Sequence, residues 1–174
     1  MVNIFYLDRE PLSAARAHCD KHCVKMILET AQLLSTAHRE LDGDEYADAH
    51  GLYKATHKNH PSAVWVRESA ANYRWAHQLL VELCGQYGYR YGKTHKTEQL
   101  VESLSYPPSN IPTDTAFTEP PQCMPDEYKR SDAVDAYRAY YHGDKAGFAE
   151  WRHSNPPVWW VREDRSQPRR VRGV

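Results

Sequence analysis

Long apolar runs are absent from this chain; none exceeds five residues. A membrane-spanning helix needs about 20 consecutive apolar residues, so no membrane partner is expected. The stretch MVNIFYLDRE lacks a basic region followed by an apolar one, so no secretory signal is expected. Cysteine is scarce and scattered, at Cys19, Cys23, Cys84 and Cys123. That argues against a disulfide scaffold and makes a reducing cytoplasm the expected setting. Excess charge of either sign is missing too. The formal net charge is −1 with ten histidines counted as neutral, which argues against a protein that coats DNA non-specifically. A local cationic site remains compatible with that total. There is no internal repeat, and phenylalanine is reduced to three residues.

Twelve tyrosines and five tryptophans take its place, and both carry a polar handle suited to surfaces that stack and hydrogen-bond. The 174 residues suit one domain, 1–174, with 161–174 a basic, partly flexible tail. Residues 3–7, NIFYL, read as one short strand. Residues 12–39 have helical composition throughout, and 40–59 are polar and read as a loop. Pro61 opens a second long helix, roughly 62–87, ended by Gly85 and Gly88. YRYGKTHKTE (89–98) reads as a basic-aromatic turn before a short helix to Leu104. Residues 105–125 hold six prolines and read as an extended surface segment. Asp132 caps a helix over AVDAYRAYY, and a further helix over DKAGFAEW is separated from it by Gly143. The expected fold is mainly α: a compact single-domain helical fold with one short N-terminal strand and a long Pro-rich loop.

The stretch HCDKHCVKMILETAQ (18–32) carries the first candidate chemistry. On one continuous helix, His18, His22, Lys25, Glu29, Gln32 and Thr36 fall on a single face. The other faces carry Cys23, Val24, Met26, Ile27, Leu28, Leu33 and Leu34, so the helix is expected to be buried, with its polar stripe facing an internal cleft. A carboxylate in a dry cleft beside cations suits acid–base work, which makes Glu29, Lys25 and His22 the catalytic candidates. The plain alternative is an i, i+4 surface pair of Lys25 with Glu29. Zinc at His18 and His22 is the metal alternative. However, His18 and Cys19 point about 100° apart on a helix, so HCxxxHC does not form one cage. No metal or other cofactor is assigned.

Two further motifs are cationic. THKNHPSAVWVRES (56–69) places His57, Asn59 and His60 ahead of a helix N-terminus, with Arg67 further along. The 89–98 turn adds Arg90, Tyr91, Lys93, His95 and Lys96. Basic residues interleaved with tyrosine suit phosphates and a stacking base. Together with His18 these form the substrate-binding candidates. The plain alternative for each motif is a polar loop that caps a helix.

The same stretches carry a resemblance. DKHCVKMILETAQLLS resembles the early helix of the pyrimidine-dimer DNA glycosylases of the phage endonuclease V type, in a register that puts that family's catalytic Glu on Glu29. KNHPSAVWVRESAANYRWAHQLLVELCGQYGYRYGK is similar to the family's Asn-His-Pro stretch, long helix and Arg-Gly-Tyr-type turn, and PPVWW to its aromatic tail. The resemblance covers about half the chain, in pieces. It implies a compact helical enzyme that holds DNA and acts near a flipped nucleotide. In that family the amine of the residue after Met attacks the sugar and the Glu assists. Here Met1 stands ahead of Val2, a departure from that pattern, and Lys25 is the alternative amine. A looser likeness joins the whole chain to uncharacterised tailed-phage proteins, which share NIF-L starts and CDKH-VKM-LE-AQ-LSTAH helices. Some such phages displace pyrophosphate from a 5-hydroxymethyluracil derivative in DNA with an amino acid. The expectations are therefore a DNA glycosylase-like enzyme, a DNA base-modifying transferase using an amine or amino acid, or a non-enzymatic DNA-binding accessory protein, in a host-cell cytoplasm if phage-encoded.

Overall fold

The computed structural model describes residues 3–161. The expected tail RRVRGV and the Val2 amine lie outside them. Seven α-helices are formed among the described residues: α1 (Pro11–Ala17), α2 (Asp20–Asp42), α3 (Glu45–Ala49), α4 (Pro61–Glu68), α5 (Ala70–Tyr91), α6 (Val101–Leu104) and α7 (Ala133–Tyr140). Short 3₁₀ turns cover Lys96–Leu100 and Asp126–Tyr128, and a π-helical turn covers Tyr141–Lys145. The fold is helical, as expected. α2 packs on α5 and α4, and α1 packs on α5. Ile27 and Leu34 of α2, and Tyr73, Ala76, Leu80 and Leu83 of α5, are fully buried. Each large apolar side chain buried this way contributes about 1.5–3 kcal/mol.

Neither long helix is continuous. Residues 12–39 break at His18 and Cys19, both extended (ψ 127° and 161°). An unbroken helix would use the carbonyls of Arg16, Ala17 and His18 for the amides four residues on. Here Arg90 donates to the Arg16 and His18 carbonyls (3.1 and 2.7 Å), and the Trp151 indole N–H takes Ala17 (3.0 Å). The freed Asp20 N–H bonds the Glu150 carbonyl at 2.7 Å. Residues 62–87 break in the same way at Ser69. The Ala70 N–H turns to the Pro112 carbonyl (2.8 Å), the Asn72 side-chain amide takes the Trp65 carbonyl (3.0 Å), and Ser69 Oγ caps the Asn72 N–H (3.0 Å). Past that break α5 runs through Gly85 and Gly88 and stops at Gly92, whose φ of 66° is left-handed.

Residues 3–7 are not a strand, and no strand is formed among the described residues. NIFYL is instead a buried strap; Ile4, Phe5, Tyr6 and Leu7 are each at most 5% exposed. With no ladder partner, its backbone is tied by side chains. Arg138 Nε donates to the Leu7 carbonyl (2.9 Å) and the Trp75 indole N–H to that of Arg9 (2.9 Å). A short apolar run does not distinguish a strand from a buried strap. The helix expected over DKAGFAEW is also absent. The π-helical turn extends α7 through Gly143, where a Cβ would overlap the Tyr128 ring. Segment 105–125 is irregular, as expected, and the Trp65 indole N–H (2.9 Å) and Asn72 side-chain amide (3.2 Å) fasten it at Thr118.

Candidate functional site

His22 and Glu29 lie two turns apart on one flank of α2, and the N-terminal strap runs along that flank. Phe5 stacks on the His22 ring at 4.2 Å, and Asn3 lies beside Glu29. The cleft expected beside the polar stripe is therefore filled, at these positions, by the chain's own first described residues.

Glu29 is 6% exposed. Burial pushes its carboxyl above the usual range, while the Lys25 charge opposes that rise. Lys25 Nζ lies 3.6 Å from Glu29 Oε1 with the lysine side chain 56% exposed, and Glu29 Oε2 has no hydrogen-bond partner. A buried carboxyl thus lies beside an exposed ammonium. Lys21, Val24 and Leu28 are exposed as well, so this part of α2 presents a cationic and apolar face to solvent. That corrects the expected burial of Val24 and Leu28. Further along the stripe, Gln32 is half-buried, and Thr36 Oγ1 accepts from the Thr56 N–H at 3.2 Å.

The histidines of the stripe are not cations. His22 pairs through Nδ1 with the Tyr141 hydroxyl (2.6 Å), and burial pushes its pKa down to about 3. His18 sits in the helix break, off the stripe, with Nδ1 on the Ala14 carbonyl at 2.6 Å and its pKa pushed down to about 4 by burial. Both rings are neutral at neutral pH and attract no anion. The same break separates His18 from the α2 flank that carries His22. Burial raises the pKa values of Cys19 and Cys23. Among the described residues no group of three or more His, Cys, Asp or Glu side chains is arranged to hold a metal ion.

At the start of α4, His60 Nδ1 caps the Ser62 N–H at 3.1 Å. His57 holds a left-handed φ of 48° and pairs with Thr56 Oγ1 at 2.7 Å. Lys58 and Asn59 are exposed, and Arg67 folds back to donate to the Lys58 carbonyl at 2.7 Å. Asn3 is tied to the same region. Its side-chain amide donates to the Cys123 carbonyl (3.0 Å), and Cys123 Sγ lies 3.7 Å from Ser62 Oγ.

The third motif divides. Arg90 is not a phosphate ligand: its side chain is fully buried, and all five N–H groups are spent on Gln86, Asp20 and the Arg16 and His18 carbonyls. Tyr91 lies under the Arg152 guanidinium at 5.2 Å. Lys93 and Lys96 are exposed. His95 caps the 3₁₀ turn (Nδ1 to the Thr97 N–H, 3.1 Å). That turn, Lys96–Leu100, packs against α2. Two concavities, of about 280 and 320 Å³, lie elsewhere, along Arg16 and Asn155, and Glu29 lines neither.

No protein-family model, curated protein or solved structure matches this chain. The site therefore stands on its geometry alone. Asn3, Tyr137, Cys123 and Ser62 were not among the candidates, and nothing local in the sequence marks them. Among the described residues no helix is long and apolar enough to cross a membrane.

Proposed function

We propose that this chain is an enzyme acting on a pyrimidine base in DNA, glycosylase-like, with Glu29 as acid–base. One observation carries this reading: a buried carboxyl whose Oε2 has no hydrogen-bond partner and whose Oε1 lies 3.6 Å from the solvent-exposed amine of Lys25. Burial raises the carboxyl's pKa and so makes it a stronger base than an exposed one. Glu29, as the carboxylate, takes the proton from the attacking group, either water or a Lys25 amine that has first lost its ammonium proton to solvent, as that group bonds to the sugar C1′. The C1′–N bond breaks, and the base leaves with the electron pair. Lys21, Lys93 and Lys96 suit phosphates along the exposed α2 face, with Tyr91 as an aromatic neighbour. His18, His22 and Arg90 take no part in this reading, because each is buried in internal contacts. The resemblance to the pyrimidine-dimer glycosylases places its catalytic Glu at the same residue.

The test is incubation with a panel of damaged and modified duplexes. Release of free base or formation of abasic sites is expected, lost in Glu29→Gln. Intact DNA across the panel overturns the reading.

The lysines of that face favour a second reading, a transferase that displaces pyrophosphate from a 5-hydroxymethyluracil derivative. The amine of an amino acid attacks the exocyclic carbon, the C–O bond breaks, and pyrophosphate leaves with the electron pair while Glu29 takes the amine proton. A mass gain on that nucleoside, dependent on an added amino acid, supports it; no gain with any of the twenty retires it. A non-enzymatic DNA-binding role predicts that Glu29→Gln leaves function intact.

A further inference from the structure

The two concavities along Arg16 and Asn155 belong to no candidate motif, and Glu29 lines neither. They share those two residues, so they form one groove with Arg16 and Asn155 between its halves. We propose that this groove binds a nucleoside phosphate, with the phosphate on Arg16 and the base in the half lined by Trp159. The inference goes beyond the reading of Glu29 and does not rest on it.

The half of about 320 Å³ is lined by Arg16, Gln86, Tyr89, Ser154 and Asn155, and no carboxylate of the described residues lines it. Arg16 stands exposed in the last turn of α1, and its guanidinium makes no ion pair or hydrogen bond among the described residues. The Gln86 amide is fixed in orientation. Arg90 has only donors, so Gln86 turns Oε1 toward it (3.3 Å to Nε, 3.2 Å to Nη2) and keeps its Nε2 donors for another partner. Ser154 and Asn155 are exposed and add a hydroxyl and an amide. A guanidinium beside neutral donors, with no carboxylate to repel it, suits a phosphate oxyanion.

The wall of this half is pinned. Both Asp20 carboxylate oxygens accept the Arg152 N–H (2.9 and 3.0 Å), and the Tyr89 hydroxyl donates to the His153 carbonyl (2.9 Å). The loop that carries Ser154 and Asn155 is thereby held to α2 and α5 before any ligand arrives, so little ordering cost falls on binding.

The half of about 280 Å³ differs in chemistry. Trp159 and Pro157 give it flat apolar surface, and Asp8 is the carboxylate among its lining residues. That charge is answered by Arg138 at 3.3 Å, and the same guanidinium lies over the Trp159 ring at 5.1 Å. An indole beside a guanidinium is a stacking surface for a base. Inorganic phosphate would use only the first half, so the two halves together select a phosphate that carries a base.

The test is isothermal titration calorimetry of the full chain. The probes are the four deoxynucleoside 5′-monophosphates, their nucleosides, inorganic phosphate and short single-stranded homopolymers of each base. At least one monophosphate or homopolymer is expected to bind about tenfold or more tightly than its nucleoside and than inorganic phosphate. Binding of monophosphates names a free nucleotide as the source, and binding of homopolymers alone names a strand; each supports the proposal. Arg16→Gln is expected to weaken that binding about tenfold or more, and Trp159→Ala to bring it to the level of inorganic phosphate. Arg74→Gln, exposed on α5 about 18 Å from Gln86, is expected to leave it unchanged. The proposal is overturned if no monophosphate or homopolymer binds, or if nucleosides or inorganic phosphate bind equally well. Binding that survives Arg16→Gln or Trp159→Ala, or that falls equally in Arg74→Gln, also overturns it. If Trp159→Ala does not fold, Arg16→Gln decides, because the exposed Arg16 side chain has no internal bond to lose. The readout is binding, so it stands apart from any assay of base release.

Discussion

The two ends of the HCDKHCVKMILETAQ stretch carry the same kind of spacing and meet different environments. At one end His18 and His22 enter an aromatic core around Phe5 and Tyr141, and Arg90 ties down the carbonyls of the helix break. At the other, Glu29 stays buried but keeps an unbonded oxygen, with Lys25 at the surface above it. The first end satisfies its polar groups by long-range bonds and is structural, although His18 Nε2 lacks a partner. The second leaves a buried carboxyl oxygen without a partner, next to an oxygen that faces an exposed amine. Polar residues on a helix face do not by themselves mark a site; a partly satisfied one at the edge of solvent is the better sign.

Acid should break the first end most strongly. His18 and His22 are held neutral, with pKa values of about 4 and 3 in the fold against about 6.5 in the unfolded chain. The stability they confer is complete above pH ~6.5 and drains away as pH falls through the folded values. Unfolding followed by circular dichroism should show a loss on the order of 5 kcal/mol by pH ~4, flattened in His22→Phe. Glu29 works in the opposite direction, because its raised pKa means that acid relieves a buried charge. Arg90→Met comes next. It leaves the Arg16 and His18 carbonyls without their Arg90 donors and Asp20 with the Arg152 main-chain N–H in place of its ion pair, at a cost of about 3–5 kcal/mol in denaturant titration. The second end should respond in activity rather than stability. Glu29→Gln is expected to abolish DNA processing while changing unfolding by no more than about 1 kcal/mol, with the sign toward stabilisation. Lys25→Met should reduce processing and move stability by less than about 0.5 kcal/mol, since its amine is mostly in water. Equal stability losses at both ends would erase the contrast.

Much of the fold was legible locally. The apolar periodicity around Val66, Tyr73, Leu80 and Leu83 marked α4 and α5, Pro61 their start, and Asp132 the cap of α7, where its side chain accepts the Asp135 N–H at 3.0 Å. The breaks at His18 and Ser69 were not legible, because the groups that make them arrive from Arg90, Trp151 and Pro112. NIFYL was misread as a strand for a related reason: burial by helices and burial in a sheet select the same residues. Within the site, Glu29 and Lys25 stood out by type and spacing. Arg90, His18 and His22 looked equally promising, and Asn3 did not stand out at all. Charge, burial and partners separate them, and none of the three is a local property.

The sequence by itself determined that this protein is helical, most of the residues of its buried faces, and that Glu29 and Lys25 share a helical neighbourhood. Those outcomes follow from hydrogen bonds and periodicities that span only a few residues. The tertiary structure alone decided where the long helices break, which histidines lose their charge, and which segment covers Glu29. Each depends on a donor or an apolar surface brought in from another part of the chain, and desolvation acts only once those groups have met.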